Sequence, residues 1–427
     1  MPSARVWGRL LGVHTAVVET VRFDEHEQVL IAEVRVRKRD RYRCGACGRR
    51  CPGYDTGQGR RRWRALDMGT VQAFVEADAP RVACAEHGVV VAMVPWARHG
   101  AGHTRVFDDT VAWLATTSSK TTVRQLMRIA WPTVGSIITR VRADIDAEVD
   151  RFAGLRRIGI DEISYKKHHK YLTIVVDHDT GRLVWAAPGN DKATLRRFFD
   201  LLGPARSAQI THVSADAAAW IASVVEQRCP AAVRCADAFH VVQWATAALD
   251  EVRRQTWRAL RAQPGGTGAD RRGRPASAGP AQQLKRSRWA LWKNPEDLTE
   301  KQQTKLAWIA KTEPRLHRAY LLKEGLRLVF AVSGDDGKHA LDRWLSWAAR
   351  SRIPEFVKLG RTIRAELAPI HASLEHGLSN ALIESTNTKI RLLTRMAFEF
   401  KRPDALISLA LLALGGYRPE LPDRTHT

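Results

Sequence analysis

Two apolar runs in the middle of the chain each end in an aspartate, and this feature limits the fold more than any other. Residues 158–160 precede Asp161, and residues 213–215 precede Asp216. Short apolar runs of this kind predict buried strands. A third carboxylate, Glu384, lies far downstream in a predicted helix. Carboxylates that converge repel one another, so a set of this kind predicts a site for a divalent metal.

The segment around these aspartates, about residues 155–255, alternates strands and helices in a characteristic order. Strands are predicted at 157–164, 171–177, 183–187, 210–214 and 232–236, and helices at 194–202, 221–227 and 239–254. Three consecutive strands followed by helix, strand, helix and strand is the ribonuclease-H-like order. In that order the first and fourth strands are neighbours, so Asp161 and Asp216 should lie side by side. Glu162 is the alternative to Asp161.

The charge of the chain indicates a polyanionic partner. Lys and Arg total 68 against 45 Asp and Glu, which gives a net charge of +23. Lysines and arginines that neutralise phosphates release counterions, so this surplus favours nucleic acid. Binding to a membrane surface is the other interpretation, but the longest apolar stretch, 406–414, is far shorter than the roughly 18–20 residues that cross a bilayer. With no signal-peptide pattern at the start, we expect a cytoplasmic protein without membrane contact.

Four of the six cysteines lie near the N-terminus in a pattern typical of zinc sites. Cys44 and Cys47 form one pair, and Cys84 and His87 form a second pair at the same spacing. Two such pairs supply the four ligands of a structural zinc, and residues 71–82 are predicted to be a strand pair that brings them together. Reduced, packed cysteines are the alternative, and Cys51 could replace one ligand. Two further cysteines are predicted to lie in the core: Cys229 and Cys235.

Between the cysteines and the strands, residues 123–130 and 133–141 predict two short helices separated by Trp131-Pro132. Proline is well suited to the start of a helix, so a helix-turn-helix is a plausible interpretation, with a generic helical hairpin as the alternative. Residues 263–280 are rich in Gly, Pro and Arg and predict a flexible basic linker. Helical segments follow it.

Taken in order, these features resemble the ISL3 family of bacterial insertion-sequence transposases, which belongs to the DDE superfamily. The two ligand pairs resemble its zinc-binding domain, residues 123–141 its helix-turn-helix, and the strands before Asp161 and Asp216 its aspartate-bearing strands. Residues 379–398 resemble its glutamate-bearing helix, with Glu384 followed by Asn387, Lys389 and Ile390. Glu399 departs from the family's usual glycine and is a rival carboxylate.

The resemblance implies a multidomain α+β fold, in which a ribonuclease-H-like catalytic domain is interrupted by a helical insertion. The expected parts are an N-terminal zinc-binding domain (1–104), a helix-turn-helix region (105–152), the first part of the catalytic domain (153–255), the insertion with its linker (256–352) and the C-terminal part of the catalytic domain (353–417). The insertion accounts for the long interval between Asp216 and Glu384.

The implied function is that of a transposase that binds the terminal inverted repeats of its element and catalyses DNA cleavage and strand transfer. Asp161, Asp216 and Glu384 would hold Mg²⁺ or Mn²⁺ ions on both sides of the scissile phosphate. Asp237 and His240 would support that site, although they could instead cap a helix. The expected DNA contacts are Arg61, Arg62, Arg64, Thr133, Ser136, Thr139, Arg140, Lys166, Lys167, Lys170, Lys389, Arg391 and Arg395.

The expected partners are double-stranded transposon ends and target DNA in the bacterial nucleoid. Because two element ends must be paired, we expect a homodimer or a larger assembly on DNA. A DNA-binding regulator or an inactive domesticated relative is the alternative function. A stand-alone nuclease would share the carboxylates but would not join DNA.

Overall fold

The computed structural model describes residues 3–166, 170–216, 218–262, 280–332, 334–378, 381–397, 400 and 402–422. Contacts group the chain into two compact units. The first comprises Met1–Ala153 and Thr388–Thr427, and the second comprises Gly154–Asn387. The five-part division expected from the sequence stays a prediction, and the residues after 387 group with the N-terminal part of the chain.

The first unit begins with a short helix, α1 (Ala4–Leu10), and continues with seven strands. These strands are β1 (Ala16–Asp24), β2 (Val29–Val36), β3 (Gly53–Asp55), β4 (Arg60–Arg64), β5 (Gln72–Asp78), β6 (Arg81–Cys84) and β7 (Gly88–Val91). They form a four-stranded sheet in the order β1-β2-β5-β4 and a three-stranded sheet in the order β3-β6-β7. The predicted strand pair within 71–82 is therefore wrong as a pair, since β5 and β6 belong to different sheets. The polypeptide turns between them at Ala79-Pro80, and proline cannot donate a ladder hydrogen bond.

Three helices follow the sheets: α2 (Arg105–Thr117), α3 (Lys120–Met127) and α4 (Trp131–Glu148). The side chain of Ser119 caps α3 by accepting a hydrogen bond from the Thr122 amide. Arg128 ends that helix in a left-handed conformation, and Pro132 lies in the first turn of α4. A capped helix, a tight turn and a proline-started helix are the local chemistry of the predicted helix-turn-helix.

The second unit is built on a five-stranded mixed sheet. Its strands are β8 (Arg157–Lys166), β9 (Lys170–Asp177), β10 (Leu183–Pro188), β11 (His212–Ala215) and β12 (Val233–Ala236). The sheet order is β10-β9-β8-β11-β12. The first three strands are antiparallel, whereas β11 is parallel to both β8 and β12. This is the ribonuclease-H-like order expected from the sequence.

Helices cover this sheet and continue into a helical region. They are α5 (Lys192–Leu202), α6 (Pro204–Ser207), α7 (Ala219–Arg228), α8 (Ala238–Ala262), α9 (Pro280–Lys285), α10 (Arg288–Trp292), α11 (Glu300–Thr312), α12 (Pro314–Ala331), α13 (Gly334–Arg350), α14 (Pro354–Ala365), α15 (Leu367–His376) and α16 (Ala381–Met396), of which α16 belongs to this unit up to Asn387. The last helix, α17 (Pro403–Leu414), belongs to the first unit. One buried apolar cluster runs from Ala236 to Leu374 and joins α8 to the helices that follow it. Of the predicted linker 263–280, all but Pro280 lies outside the described residues.

Within the first unit, α17 packs against α2 and α4. Its central residues, Leu406–Leu412, are buried on all sides of the helix, which explains the apolar stretch noted in the sequence. Among the described residues, no helix has the length and apolar character needed to cross a membrane.

Candidate functional site

Three aspartates lie in a row across adjacent parallel strands of the second unit. Ala215 of β11 pairs with Ile160 of β8 and with Ala236 of β12. The next residue on each strand is an aspartate: Asp161, Asp216 and Asp237. Asp161 lies in the middle of β8, at the level where β11 stops, and not at a strand end as the sequence suggested. Parallel pairing therefore brings the two predicted catalytic aspartates to one edge of the sheet.

His240 connects two of these aspartates. Its Nδ1 atom lies 2.5 Å from Asp237 Oδ2, and its Nε2 atom lies 3.5 Å from Asp216 Oδ2. The hydrogen bond to Asp237 raises the pKa of His240, and the nearby Asp216 carboxylate adds to that rise. Asp237 is buried and also accepts a hydrogen bond from the Phe239 amide at the start of α8. Asp237 therefore contacts both the start of α8 and the ring of His240; its role in supporting the site stays a prediction.

Asp161 is held by two hydrogen bonds. Its Oδ1 atom accepts from the Glu162 amide at 2.7 Å, and its Oδ2 atom accepts from Asn387 Nδ2 at 2.7 Å. Burial raises the pKa of the Asp161 carboxyl, while these two hydrogen bonds oppose that rise. Glu162, the alternative carboxylate, accepts a hydrogen bond from Asn190 Nδ2 at 3.3 Å.

Glu384 lies in the first turn of α16 and is exposed. Burial raises the pKa of its carboxyl, and the charges of Asp237 and Asp161 raise it further. The charges of Asp161 and Asp237 therefore act on the Glu384 carboxyl as well. The rival carboxylate Glu399 lies outside the described residues.

These carboxylates neighbour one another without forming a tight cluster. Among the described residues, the set of potential metal ligands whose donor atoms all lie within 4.8 Å of one another is the N-terminal Cys/His set, and Asp161, Asp216 and Glu384 are not in it. The acidic set is nevertheless chemically suited to a hard divalent cation, because it offers carboxylate oxygens whose mutual repulsion a cation would relieve.

The predicted zinc ligands come together in the first unit. The donor atoms of Cys44, Cys47, Cys84 and His87 all lie within 4.8 Å of one another. The Cys47 and Cys84 sulfurs are 3.8 Å apart, and Cys84 Sγ lies 3.6 Å from His87 Nδ1. Tetrahedral zinc with ordinary bond lengths requires S···S of roughly 3.8 Å and S···N of roughly 3.6 Å, so the set fits zinc.

Each pair of ligands is followed by a glycine that the turn requires. Gly48 has φ 71° and Gly88 has φ 66°, conformations that other residues rarely adopt. The Gly48 amide donates to the Cys44 carbonyl at 2.8 Å, which closes the first turn around the ligands. The glycine after each ligand pair is a further sequence signal for this site, and the prediction from the ligand spacing did not include it.

Of the other cysteines, Cys51 neighbours this ligand set: burial raises the pKa of its thiol, and Cys84 and Cys44 raise it further, so Cys51 stays an alternative ligand. The Cys51 thiol lies 3.4 Å from the Arg49 carbonyl. Cys229 and Cys235 are buried, as predicted, and burial raises the pKa of each thiol to about 11. All six cysteines are free thiols.

Several arginines predicted to contact DNA have partners within the first unit. Arg64 is 7% exposed and forms an ion pair with Asp67. Arg62 donates to Glu76 Oε2 at 2.8 Å, and Arg61 donates to the Ala101 carbonyl at 2.7 Å. Arg64 is too buried to offer its guanidinium to a phosphate, so its observed contacts indicate a role in stabilising the sheet. The partner Asp67 is local, but the burial of Arg64, for example against the Phe107 ring, depends on tertiary packing that the sequence does not show.

Arg140 is likewise engaged by the fold. Its Nη1 atom lies 2.9 Å from Oδ2 of Asp108, a carboxylate that is fully buried. In contrast, Ser136 and Thr139 on the same helix α4 are exposed, and Thr133 is partly exposed. Thr133, Ser136 and Thr139 are therefore more accessible to a ligand than Arg140, so fewer residues of α4 are available than the sequence predicted.

The remaining predicted DNA contacts lie at two places. Lys166 and Lys170 face each other across the β8–β9 pair, and Lys167 lies outside the described residues. Three further cations are exposed on α16: Lys389, Arg391 and Arg395.

Comparison with known protein families agrees with this geometry. Residues 158–410 match the DDE family of ISL3 elements, described as a transposase. Residues 92–142 match the helix-turn-helix domain of transposase family ISL3, and residues 40–87 match the zinc finger of IS204/IS1001/IS1096/IS1165 transposases. A zinc finger, a helix-turn-helix and a DDE domain together define a DDE-type transposase, which is a DNA-binding and DNA-cleaving enzyme that depends on divalent metal.

Individual relatives are also described as transposases, and two of them align with almost the whole chain. Two proteins described as the transposase for insertion sequence element IS1557, from Mycobacterium tuberculosis strains CDC 1551 / Oshkosh and ATCC 25618 / H37Rv, are each 61% identical over 440 residues. Each alignment covers 99% of this chain and 98% of the relative. A Bordetella parapertussis protein, described as the transposase for insertion sequence element IS1001, is 26% identical over 84% of this chain and 85% of its own length. The chain belongs to the ISL3 family of transposases, and the alternative of a DNA-binding regulator or inactive relative is not favoured.

Proposed function

We propose that this transposase binds the terminal inverted repeats of its own insertion sequence, cleaves DNA there and joins the freed 3′ ends to target DNA, using Mg²⁺ or Mn²⁺. The observation that carries the proposal is the row of Asp161, Asp216 and Asp237 on adjacent strands; the charges of Asp237 and Asp161 also raise the pKa of the Glu384 carboxyl.

Asp161, Asp216 and Glu384 would hold the metal. Carboxylate oxygens are the ligands that Mg²⁺ and Mn²⁺ prefer over the softer ligands of zinc. When bound, a metal pair supplies activation of a nucleophilic oxygen and stabilisation of the departing 3′ oxygen. The protein must hold these carboxylates in place. On one side of the site His240, which lies between Asp237 and Asp216, would do this.

His240 is the supporting residue in this proposal. Its ring lies between Asp237 and Asp216, and the hydrogen bond with Asp237 raises its pKa. Asp237 is buried and hydrogen-bonded, so it acts through His240 and through the start of α8.

DNA recognition is assigned to exposed residues of the two units. Thr133, Ser136 and Thr139 on α4 would meet the bases or backbone of the terminal repeat, as the second helix of a helix-turn-helix does. Cations that are exposed, or partly exposed in the case of Lys166, would contact phosphates and contribute a salt-dependent part of the affinity. These cations are Lys166, Lys170, Lys389, Arg391 and Arg395.

Zinc held by Cys44, Cys47, Cys84 and His87 would be structural, since four protein ligands leave no open position for a substrate. Because both element ends must be joined, we propose that the protein acts as a homodimer or larger assembly on DNA. Its place of action would be the bacterial cytoplasm, at the nucleoid.

A strand-transfer reaction tests the proposal. Purified protein is mixed with 3′-OH-terminated element ends and a supercoiled plasmid, in Mg²⁺, Mn²⁺ or EDTA. Joined products are expected with Mg²⁺ or Mn²⁺, absent with EDTA and lost in the Asp161→Asn variant. Cleavage without joining would favour a nuclease, and joining by Asp161→Asn at the wild-type rate would refute the assignment of the site.

A further inference from the structure

We infer that Asn387 is a positioning residue for the catalytic site: it fixes the Asp161 carboxylate and, through it, ties the glutamate-bearing helix to the strand. This inference rests on the proposed metal-dependent function and deepens it. Asn387 lies on α16, one turn after Glu384, and its Nδ2 atom lies 2.7 Å from Asp161 Oδ2.

Helix α16 and strand β8 meet at two pairs of residues, Gly159 with Ile383 and Asp161 with Asn387. Gly159 and Asp161 are two residues apart on β8, so their side-chain positions share one face of the sheet. Ile383 and Asn387 are four residues apart on α16 and share one face of the helix. Two strand residues span roughly 6.6 Å and four helical residues roughly 6.0 Å, so the two pairs can align without distortion.

The first contact is apolar and close. Ile383 is fully buried, and a Cβ atom built on Gly159 would lie 2.9 Å from Ile383 Cγ1 and closer still to Ile383 Cδ1. Gly159 therefore permits a close approach of α16 that another residue would block. This contact sets how near the helix lies to the strand.

The second contact is polar and specific. Asn387 is 5% exposed, and its Oδ1 atom has no hydrogen-bond partner among the described residues. The amide is therefore oriented by the carboxylate alone, with its donor group toward the negative charge. Since Asp161 Oδ1 accepts from the Glu162 amide, both oxygens of the carboxylate are held and its plane is fixed.

A fixed carboxylate binds metal better than a rotating one. Removal of a hydrogen-bond partner of a metal ligand typically costs about 10–100-fold in metal affinity or activity. Asn387 would therefore act on metal binding through Asp161, whereas Glu384 on the same helix would hold the metal itself.

The test compares two substitutions of similar shape on neighbouring residues of α16. Asn387→Leu keeps the number and branching of the side-chain heavy atoms, adds some volume and removes the donor. Thr386→Val is the matched control, because Thr386 is 4% exposed and its hydroxyl donates to the Leu382 carbonyl of its own helix at 2.9 Å. Binding of Mn²⁺ to the zinc-loaded, full-length protein is measured by electron paramagnetic resonance, with Asp161→Asn as reference.

We expect Asn387→Leu to weaken Mn²⁺ binding about 10–100-fold and Thr386→Val to leave it unchanged. Excess Mn²⁺ should partly restore strand transfer by Asn387→Leu, which a merely structural defect would not allow. Wild-type Mn²⁺ affinity in Asn387→Leu overturns the inference. If Asp161→Asn also binds Mn²⁺ like the wild type, the proposed metal site itself fails.

A second variant keeps the inference testable if Asn387→Leu does not fold. Asn387→Ser keeps a hydroxyl donor on a shorter side chain, and we expect it to bind Mn²⁺ more weakly than Thr386→Val. Equal affinity of these two variants would likewise overturn the inference.

Discussion

Gly159→Ala should separate the strand from the glutamate-bearing helix without touching a catalytic group. The added Cβ would lie 2.9 Å from Ile383 Cγ1 and 2.9 Å from His178 Nε2, and it would overlap Ile383 Cδ1. Ordinary carbon contacts lie at about 3.5–4.0 Å, so α16 must retreat by about 1 Å or the side chains must repack. Overpacking of this kind destabilises a protein by about 1–3 kcal/mol.

The expected effect on catalysis is larger than the effect on stability. A misplacement of about 1 Å at a catalytic group can lower a rate by about 100-fold. We therefore expect Gly159→Ala to slow strand transfer by about 10–100-fold while it binds terminal-repeat DNA normally. The assays are strand transfer, thermal unfolding and a DNA-binding titration.

A matched control is available in the same unit. Gly360→Ala places a Cβ 3.7 Å from the nearest atom, Ala348 Cβ, which is an ordinary contact. It should leave strand transfer unchanged and raise stability slightly, since alanine favours a helix by about 1 kcal/mol over glycine. Adding Ile383→Val to Gly159→Ala removes the overlapping Cδ1 atom and should restore part of the rate. Wild-type stability and strand transfer in Gly159→Ala would refute the close-approach explanation.

Three further outcomes follow from the first unit. Arg140→Gln should lower stability by roughly 2–3 kcal/mol, because it removes a partner of the buried Asp108, whereas Ser136→Ala should change DNA affinity alone; equal thermal stability of the two variants would contradict this. Burial, with nearby arginine charges, lowers the pKa of His103 to about 4; the unfolded chain then binds the proton first, so the contribution of His103 to stability should fall by at most about 3 kcal/mol as the pH drops from about 6.5 to 4. The neighbouring Asp108, whose pKa burial raises to about 6, contributes with the opposite sign below that pH, so His103→Gln should shift the slope of the pH–stability curve toward higher stability at low pH, and an unchanged slope in thermal unfolding would exclude His103 as a cause. Cys84→Ser should remove about one zinc ion per chain in native mass spectrometry and abolish DNA binding; full zinc content in the variant would count against the ligand set.

The sequence was sufficient for the sheet and for the zinc ligands. Apolar runs and turn residues predicted β8–β12 in the right order, and from that order the adjacency of Asp161 and Asp216 follows. The spacing of Cys44, Cys47, Cys84 and His87 predicted a group that the structure brings together. These features are local in the sequence, or follow from a known strand order.

Features that depend on tertiary partners could not be predicted in the same way. Arg140 was predicted to contact DNA because its partner Asp108 lies 32 residues away in the sequence. Arg64 was predicted likewise because its burial depends on tertiary packing, although its partner Asp67 is only three residues away. The grouping of α17 with α2 and α4 joins segments almost three hundred residues apart in the sequence.

The role of Asn387 belongs to the same class of long-range features. The sequence marked it only as part of a family-like motif, whereas its contact with Asp161 requires a particular approach of α16 to β8. Gly159 carried a usable signal, because a glycine inside a strand often marks close approach of another element.

The most direct test of the central claim is to locate the metal. Anomalous scattering from Mn²⁺, in crystals of the protein with element-end DNA, would identify the residues around each ion. We expect peaks contacted by carboxylate oxygens of Asp161, Asp216 and Glu384, with His240 and Asn387 outside the coordination shell. Peaks held by Glu162 or Glu399 in place of these residues, in crystals of protein that is active in strand transfer, would contradict the account.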